Sequence, residues 1–214
     1  MSHAILALAA ASLPAQSDLP RMLKAVEKRY NSPRTIKVAF EQTYRQPGRP
    51  PRTESGDLYI RRPSRMRWEY RKPPDKLFLV DGKFVWFYNP SNNTVEKSRL
   101  KESDDVRAPL AFLIGRLDFY RDFSQFRHHM EGPDRVIAAK PRSDKAPYDQ
   151  VDFIITPDFR IRRLVITAPD YTVTEFNFSN ETLNPPVPEK MFEFVMPRGA
   201  ELIEITEPPP PETK

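Results

Sequence analysis

From Ile36 to Ile205 the chain alternates apolar and polar residues in short runs, and this period of two limits its possible folds more than any other feature. In "IKVAFEQTY", Ile36, Val38, Phe40 and Tyr44 share one side of an extended chain, while Lys37, Glu41 and Thr43 share the other. The pattern recurs in Glu54–Arg62, Met66–Tyr70, Lys76–Val80, Phe84–Tyr88 and Thr94–Ser98. It resumes in Val136–Lys140, Val151–Thr156, Ile161–Ala168, Thr172–Phe178, Met191–Val195 and Glu201–Ile205. The connectors "RPS", "RKPPD", "DGK" and "NPSNN" are short and polar, which predicts an antiparallel meander. Asp81-Gly82 between two apolar runs marks a hairpin. With only 6 Gly against 24 Pro, turns must draw on Pro, Asn, Asp and Ser.

A sheet of about ten or more such strands must curl or close. One of its faces is unusually bulky: Phe40, Tyr44, Leu58, Ile60, Met66, Trp68, Tyr70, Phe153, Ile155, Phe176 and Phe178. These residues predict a concave apolar wall. Two segments break the period. Asp18 and Pro20 open a helix whose apolar residues Leu19, Met22, Leu23, Val26 and Tyr30 share one side. "RAPLAFLIGRLDFYRDFSQFRHH" suggests two short apolar helices, with Pro109 in a first turn and Gly115 at a cap. They are the expected filling of the concave face.

The ends read differently. Residues 1–15 resemble a cleaved secretory signal, with an apolar stretch from Ala4 to Leu13 too short to span a bilayer. Residues 16–206 are expected to form one exported domain, and 207–214 a disordered or polyproline tail.

Signals for catalysis are weak. There is no GxSxG, HExxH or glycine-rich phosphate loop. The absence of cysteine excludes thiolate metal sites and Cys nucleophiles. His128 and His129 read as a solvated helix end, and Glu102, Asp104 and Asp105 as a solvated loop. No enzyme, cofactor or metal is expected. "RMRWEY" has the local look of a nucleic-acid surface, but Trp68 and Tyr70 share parity with Met66, so core is the reading adopted and nucleic acid is not an expected partner.

Arg62 is the anomaly. It shares parity with Leu58 and Ile60 and would point where they point. A buried guanidinium needs acceptors. It either reaches water at the strand end or binds unsatisfied carbonyls at the end of an inserted helix. The second arrangement is a latch.

The runs "GDLYIRRPSRMRWEY", "KLFLVDGKFVWFYNP", "APLAFLIG" and "PEKMFEFVMPRGAELIEI" together resemble the LolA family of periplasmic outer-membrane lipoprotein carriers, over about residues 35–205. The resemblance implies a mainly β (α+β) fold, an incomplete and strongly curved antiparallel barrel with short helices plugging its cavity. It implies a periplasmic shuttle for lipoprotein acyl chains, a monomer moving between an inner-membrane transporter and an outer-membrane receptor or acceptor. On that resemblance the lid latch falls on Arg62, a handover residue at the cavity mouth on Met66, and the lid on Leu110, Phe112, Leu113 and Ile114. The family's outer-membrane receptor is anchored through a cysteine, which this chain lacks. A periplasmic sensor or carrier of other lipids is the alternative the same fold would serve.

Overall fold

The computed structural model describes residues 18–100, 116–144 and 146–205. The expected signal, the proline tail, the acidic loop and the lid residues Leu110, Phe112, Leu113 and Ile114 lie outside them.

Helix α1 (Leu19–Asn31) comes first, with Pro20 in its opening turn. Asp18 makes no side-chain cap; it lies 3.5 Å from Arg135 instead. Six strands follow: β1 (Thr35–Arg45), β2 (Arg52–Arg61), β3 (Arg65–Lys72), β4 (Leu77–Val80), β5 (Phe84–Asn89) and β6 (Thr94–Arg99). A one-turn helix, α2 (Phe119–Asp122), leads into β7 (Phe123–Glu131), β8 (Asp134–Pro141), β9 (Gln150–Ile155), β10 (Ile161–Thr167) and β11 (Val173–Leu183). After a 3-10 turn at Glu189–Phe192 comes β12 (Glu201–Glu204).

The strands form one open, curved sheet in the order β12-β6-β5-β4-β3-β2-β1-β11-β10-β9-β8-β7. β1 pairs with both β2 and β11, so the two halves of the meander join through the first strand. The turns use what the composition predicts. Asp81 accepts from the backbone N–H of Lys83 and Phe84 and from the Trp86 indole, each at 2.8 Å. Left-handed backbone falls on Ser64, Asp75 and Asn93 as well as on glycines.

Three expectations are corrected. The second of the two expected mid-chain helices is a single turn: after α2 the chain becomes β7, and His128 and His129 are exposed on that strand, while the first lies outside the described residues. The helical spacing of Phe119, Phe123 and Phe126 has two sources. Phe119 and Phe123 bracket the single turn of α2. A bulge then sets Gln125 and Phe126 opposite Ala139 alone, with Gln125 at φ 52°, so Phe123 and Phe126 both reach the core. Met191–Val195 is not a strand. Pro185, Pro186 and Pro188 lack the N–H a ladder needs, and the segment crosses the outer face of the sheet as a strap. Finally, β12 pairs with β6 in parallel, because the strap delivers it from the far side of the sheet.

The strap has its own small core. Val187 and Phe192 pack with Leu79, and Trp86 stacks on Phe194 at 4.4 Å. Arg61 donates to the Val187 carbonyl (2.9 Å) and to Glu189 (2.6 Å), and Arg67 donates to the Met191 carbonyl (3.2 Å).

Gly56 is the tightest point of the inner face. It lies opposite Phe40 on β1 and Tyr70 on β3. A Cβ there would sit 2.1 Å from the Glu69 carbonyl oxygen and 2.9 Å from the Phe40 ring. Gly56→Ala should cost about 1–3 kcal/mol by overpacking, read as a lower urea midpoint. An unchanged midpoint would mean that the Glu69 carbonyl and the Phe40 ring do not close off that space.

Candidate functional site

Most of the inner face assembles as its parity predicts; Tyr44 is half-buried, lies outside the cluster and has Arg52 over its ring. Phe40, Leu58, Ile60, Met66, Trp68, Phe153, Ile155 and Phe176 are buried in one cluster, with Tyr70 and Phe178 packed at its margin. The rings meet edge-on: Phe40 is 4.6 Å from Trp68 and 5.1 Å from Tyr70. Phe153 takes Phe119 at 5.1 Å and Phe123 at 5.2 Å. Edge-to-face contacts favour a wall of rigid rings over a loose one.

Met66, expected at an open cavity mouth, is 1% exposed, and the Trp68 indole N–H donates to its sulfur at 3.0 Å. One helix packs into the same cluster.

That helix is α1. Met22, Leu23, Val26 and Tyr30 lie on one side of it and belong to the same cluster as the wall. What is left beneath its last turn is a hollow of about 20 Å³ lined by Tyr30, Ile36, Leu58, Ile60, Leu164 and Phe178. That volume holds about one water molecule. In this state the wall is filled by protein.

The polar anchors of α1 crowd into its last turn. Arg62 donates from Nη2 to the Tyr30 carbonyl oxygen at 2.6 Å. A helix leaves its last four carbonyls without intrahelical donors, so this acceptor is available. The arginine therefore reaches the end of α1; the inserted helix expected as its partner lies outside the described residues. Burial lowers its guanidinium pKa from the ordinary value.

Four residues of α1 make further contacts that were hidden in the sequence. Tyr30 donates its hydroxyl proton to Glu181 (2.7 Å) and accepts from the Ile161 N–H (2.9 Å). Burial, then the adjacent Glu181 carboxylate, push its phenol far above the usual range, so it stays a donor. Arg29 adds two bonds to the same carboxylate, at 3.0 and 2.6 Å. Asn31 clasps Leu117 from both sides, donating to its carbonyl and accepting from its N–H, each at 2.8 Å. Glu27 accepts from the Phe119 N–H at 3.0 Å. Tyr30 was the available signal: a tyrosine on a buried helix side needs a partner for its hydroxyl. Nothing local named Glu181, which lies 151 positions away.

Outside the last turn of α1, the chain opens into a second hollow of about 740 Å³, between the helix end, the start of the β2–β3 turn and Arg116. Most of its lining residues carry polar or charged groups on partly apolar stems. No helix among the described residues is long and apolar enough to cross a membrane.

Comparison with known proteins gives a consistent result. The family model described as "Outer membrane lipoprotein carrier protein LolA" matches residues 31–195. An outer-membrane lipoprotein carrier protein of Nitrosospira multiformis is 28% identical over 171 residues, 79% of this chain and 82% of that one. One of Bordetella avium is 30% identical over 162 residues, 74% and 75%. Among solved structures, an uncharacterized conserved protein of Thermus thermophilus aligns with a TM-score of 0.53 at 15% identity, over 88% of this chain and 100% of that one. A DUF1329 family protein of Desulfovibrio piger gives 0.52 at 11%, over 82% and 97%. These two structures speak to the fold alone.

Tyr30→Phe should leave the Ile161 N–H without its acceptor and the Glu181 Oε2 without the Tyr30 donor, while Arg29 still holds Oε1. The expected loss is about 1–3 kcal/mol in urea unfolding. An unchanged midpoint would mean the hydroxyl is not part of what holds α1.

Proposed function

This chain belongs to the LolA family, and from that premise we propose that it is a periplasmic carrier whose inner wall takes the acyl chains of lipoproteins in the place α1 occupies. It would collect them from an inner-membrane transporter and deliver them to an outer-membrane receptor or acceptor, working as a monomer without cofactor or covalent chemistry.

The observation that carries this reading is the filling itself: a helix, not a further strand, covers the apolar wall. Strands are welded by continuous ladders. A helix lying across a sheet is held by side chains and can leave as a unit.

Magnitudes support exchange. One sixteen-carbon chain gains about 13 kcal/mol on burial, at about 0.8 kcal/mol per methylene. Several chains entering an empty cavity would pass the practical ceiling of about 20 kcal/mol, and release would fail. Burying Met22, Leu23, Val26 and Tyr30 is worth about 6–12 kcal/mol at the usual 1.5–3 per side chain. Cargo that displaces α1 therefore gains only the difference, which leaves binding reversible.

Arg62 then sets the balance. Its bond to the Tyr30 carbonyl is made with α1 in place and is lost when the helix moves. A charge-assisted bond of this kind is worth about 1.5–3 kcal/mol. The family's lid position falls on residues outside the described ones, and the latch proposed here needs only α1.

The direct test is release of newly made lipoproteins from spheroplasts by the purified protein. A carrier releases them into the supernatant. A protein that leaves them on the membrane is not one. Arg62→Leu should still load cargo but deliver it to outer membranes several-fold less well, because the closed form no longer competes for the wall. Delivery equal to wild type would remove Arg62 from the mechanism.

A further inference from the structure

We infer that the polar hollow beside the last turn of α1 binds the anionic head group of a lipid, with Lys28 and Arg116 as its principal cations. This deepens the acyl-binding reading and rests on it.

The charge in the hollow is one-sided. Among the described residues, Lys24, Lys28, Arg62 and Arg116 line it against one carboxylate, Glu27. That carboxylate is already committed: one oxygen accepts from the Phe119 N–H at 3.0 Å and the other from Lys24 at 2.7 Å. Nearby Asp118 is also engaged, capping α2 through the Arg121 N–H at 3.1 Å. Lys28 and Arg116 are exposed and make no ion pair among the described residues. Glu27, and behind it Asp118, favour the Lys24 charge, with Arg116 opposing it least, so Lys24 is already balanced and Lys28 and Arg116 are the cations left for an entering anion. Gathering cations around a recess is unfavourable unless an anion enters it.

The position selects the kind of anion. Tyr30 lines the apolar hollow under the helix, while Lys28, Asn31 and Ser32 line the polar one beyond it. Ile60 belongs to the first and Arg62, two residues on, to the second. The end of α1 thus divides a greasy compartment from a cationic one. A ligand spanning both has a hydrocarbon tail and an anionic head. A volume of about 740 Å³ is within the ordinary range for a small-molecule site. Guanidinium and ammonium groups are the usual partners of phosphate, and Arg116 offers a planar fork. Simple acyl binding needs none of this charge.

The test compares two lysophospholipids with the same single sixteen-carbon chain. One carries a phosphoglycerol head, net negative, and the other phosphocholine, net neutral. Each is titrated into the full chain below its micelle concentration, with inorganic phosphate as a third ligand. We expect the anionic lysolipid to bind about fivefold more tightly at low salt, as two or three partly exposed charge contacts allow. That preference should shrink as salt is raised. In Lys28→Gln/Arg116→Gln the ratio of the two affinities should fall to near one, with circular dichroism verifying the fold. Equal affinities in the wild type overturn the head-group site and leave the acyl site standing. A ratio unchanged in the double variant overturns it too, since the attraction would come from the general basic surface. Inorganic phosphate binding as tightly as the anionic lysolipid overturns the lipid assignment. If neither lysolipid binds, the acyl-binding reading falls with it.

Discussion

An open sheet of this width cannot cover its own inner face, and the contact between that face and α1 is what the rest of the structure depends on. The wall is built from rings and branched side chains that would cost heavily if left in water. A closed barrel would turn them against one another. Here β7 and β12 stand at opposite ends of the sheet without pairing, so a separate element must complete the core. α1 does so with one apolar side and no ladder hydrogen bonds. Its fit is close enough to leave about 20 Å³ beneath its last turn.

The neighbouring residues Arg61 and Arg62 show how the sheet's period divides the work. Successive side chains on a strand point to opposite faces. Arg61 goes outward and holds the strap through Val187 and Glu189. Arg62 goes inward and holds the end of α1 through Tyr30. The outer attachment is reinforced by a stacked aromatic pair and ends in a paired strand, so it is built to stay. The inner one has no strand pairing. Its polar contacts gather at residues 27–31, while the start of the helix is tied by an ion pair of Asp18 with Arg135 at 3.5 Å. Releasing α1 from the wall therefore means breaking the contacts of this one end.

Much of this was legible in the residues. Alternation alone placed β1–β6 and β8–β11, and parity alone put Phe40, Leu58, Ile60, Trp68 and Phe153 on the buried face. It also turned Arg62 inward. What stayed hidden has physical causes. A bulge at Gln125 and Phe126 inserts one residue and gives a strand the spacing of a helix. The strap looks like a strand because Phe192 and Phe194 alternate with Glu193, but the preceding prolines deny it a ladder. The partners of Tyr30 and Asn31 come from distant parts of the chain, and no local pattern encodes them. The apolar side of α1 was visible; its place against the wall was not, and the apolar stretch around residues 108–115, the expected filling, lies outside the described residues.

The two tryptophans offer the most direct measurement. Trp68 lies in the inner wall, 3% exposed, and Trp86 lies on the outer face against Phe194. Brominated acyl chains quench tryptophan only on contact. Titrating a dibrominated fatty acid into the Trp86→Phe and Trp68→Phe proteins separates the two faces. If hydrocarbon takes the place of α1, Trp68 fluorescence is quenched saturably in the first protein and Trp86 fluorescence is unaffected in the second. Quenching of Trp86 alone, or of neither, would contradict an acyl chain on the inner wall.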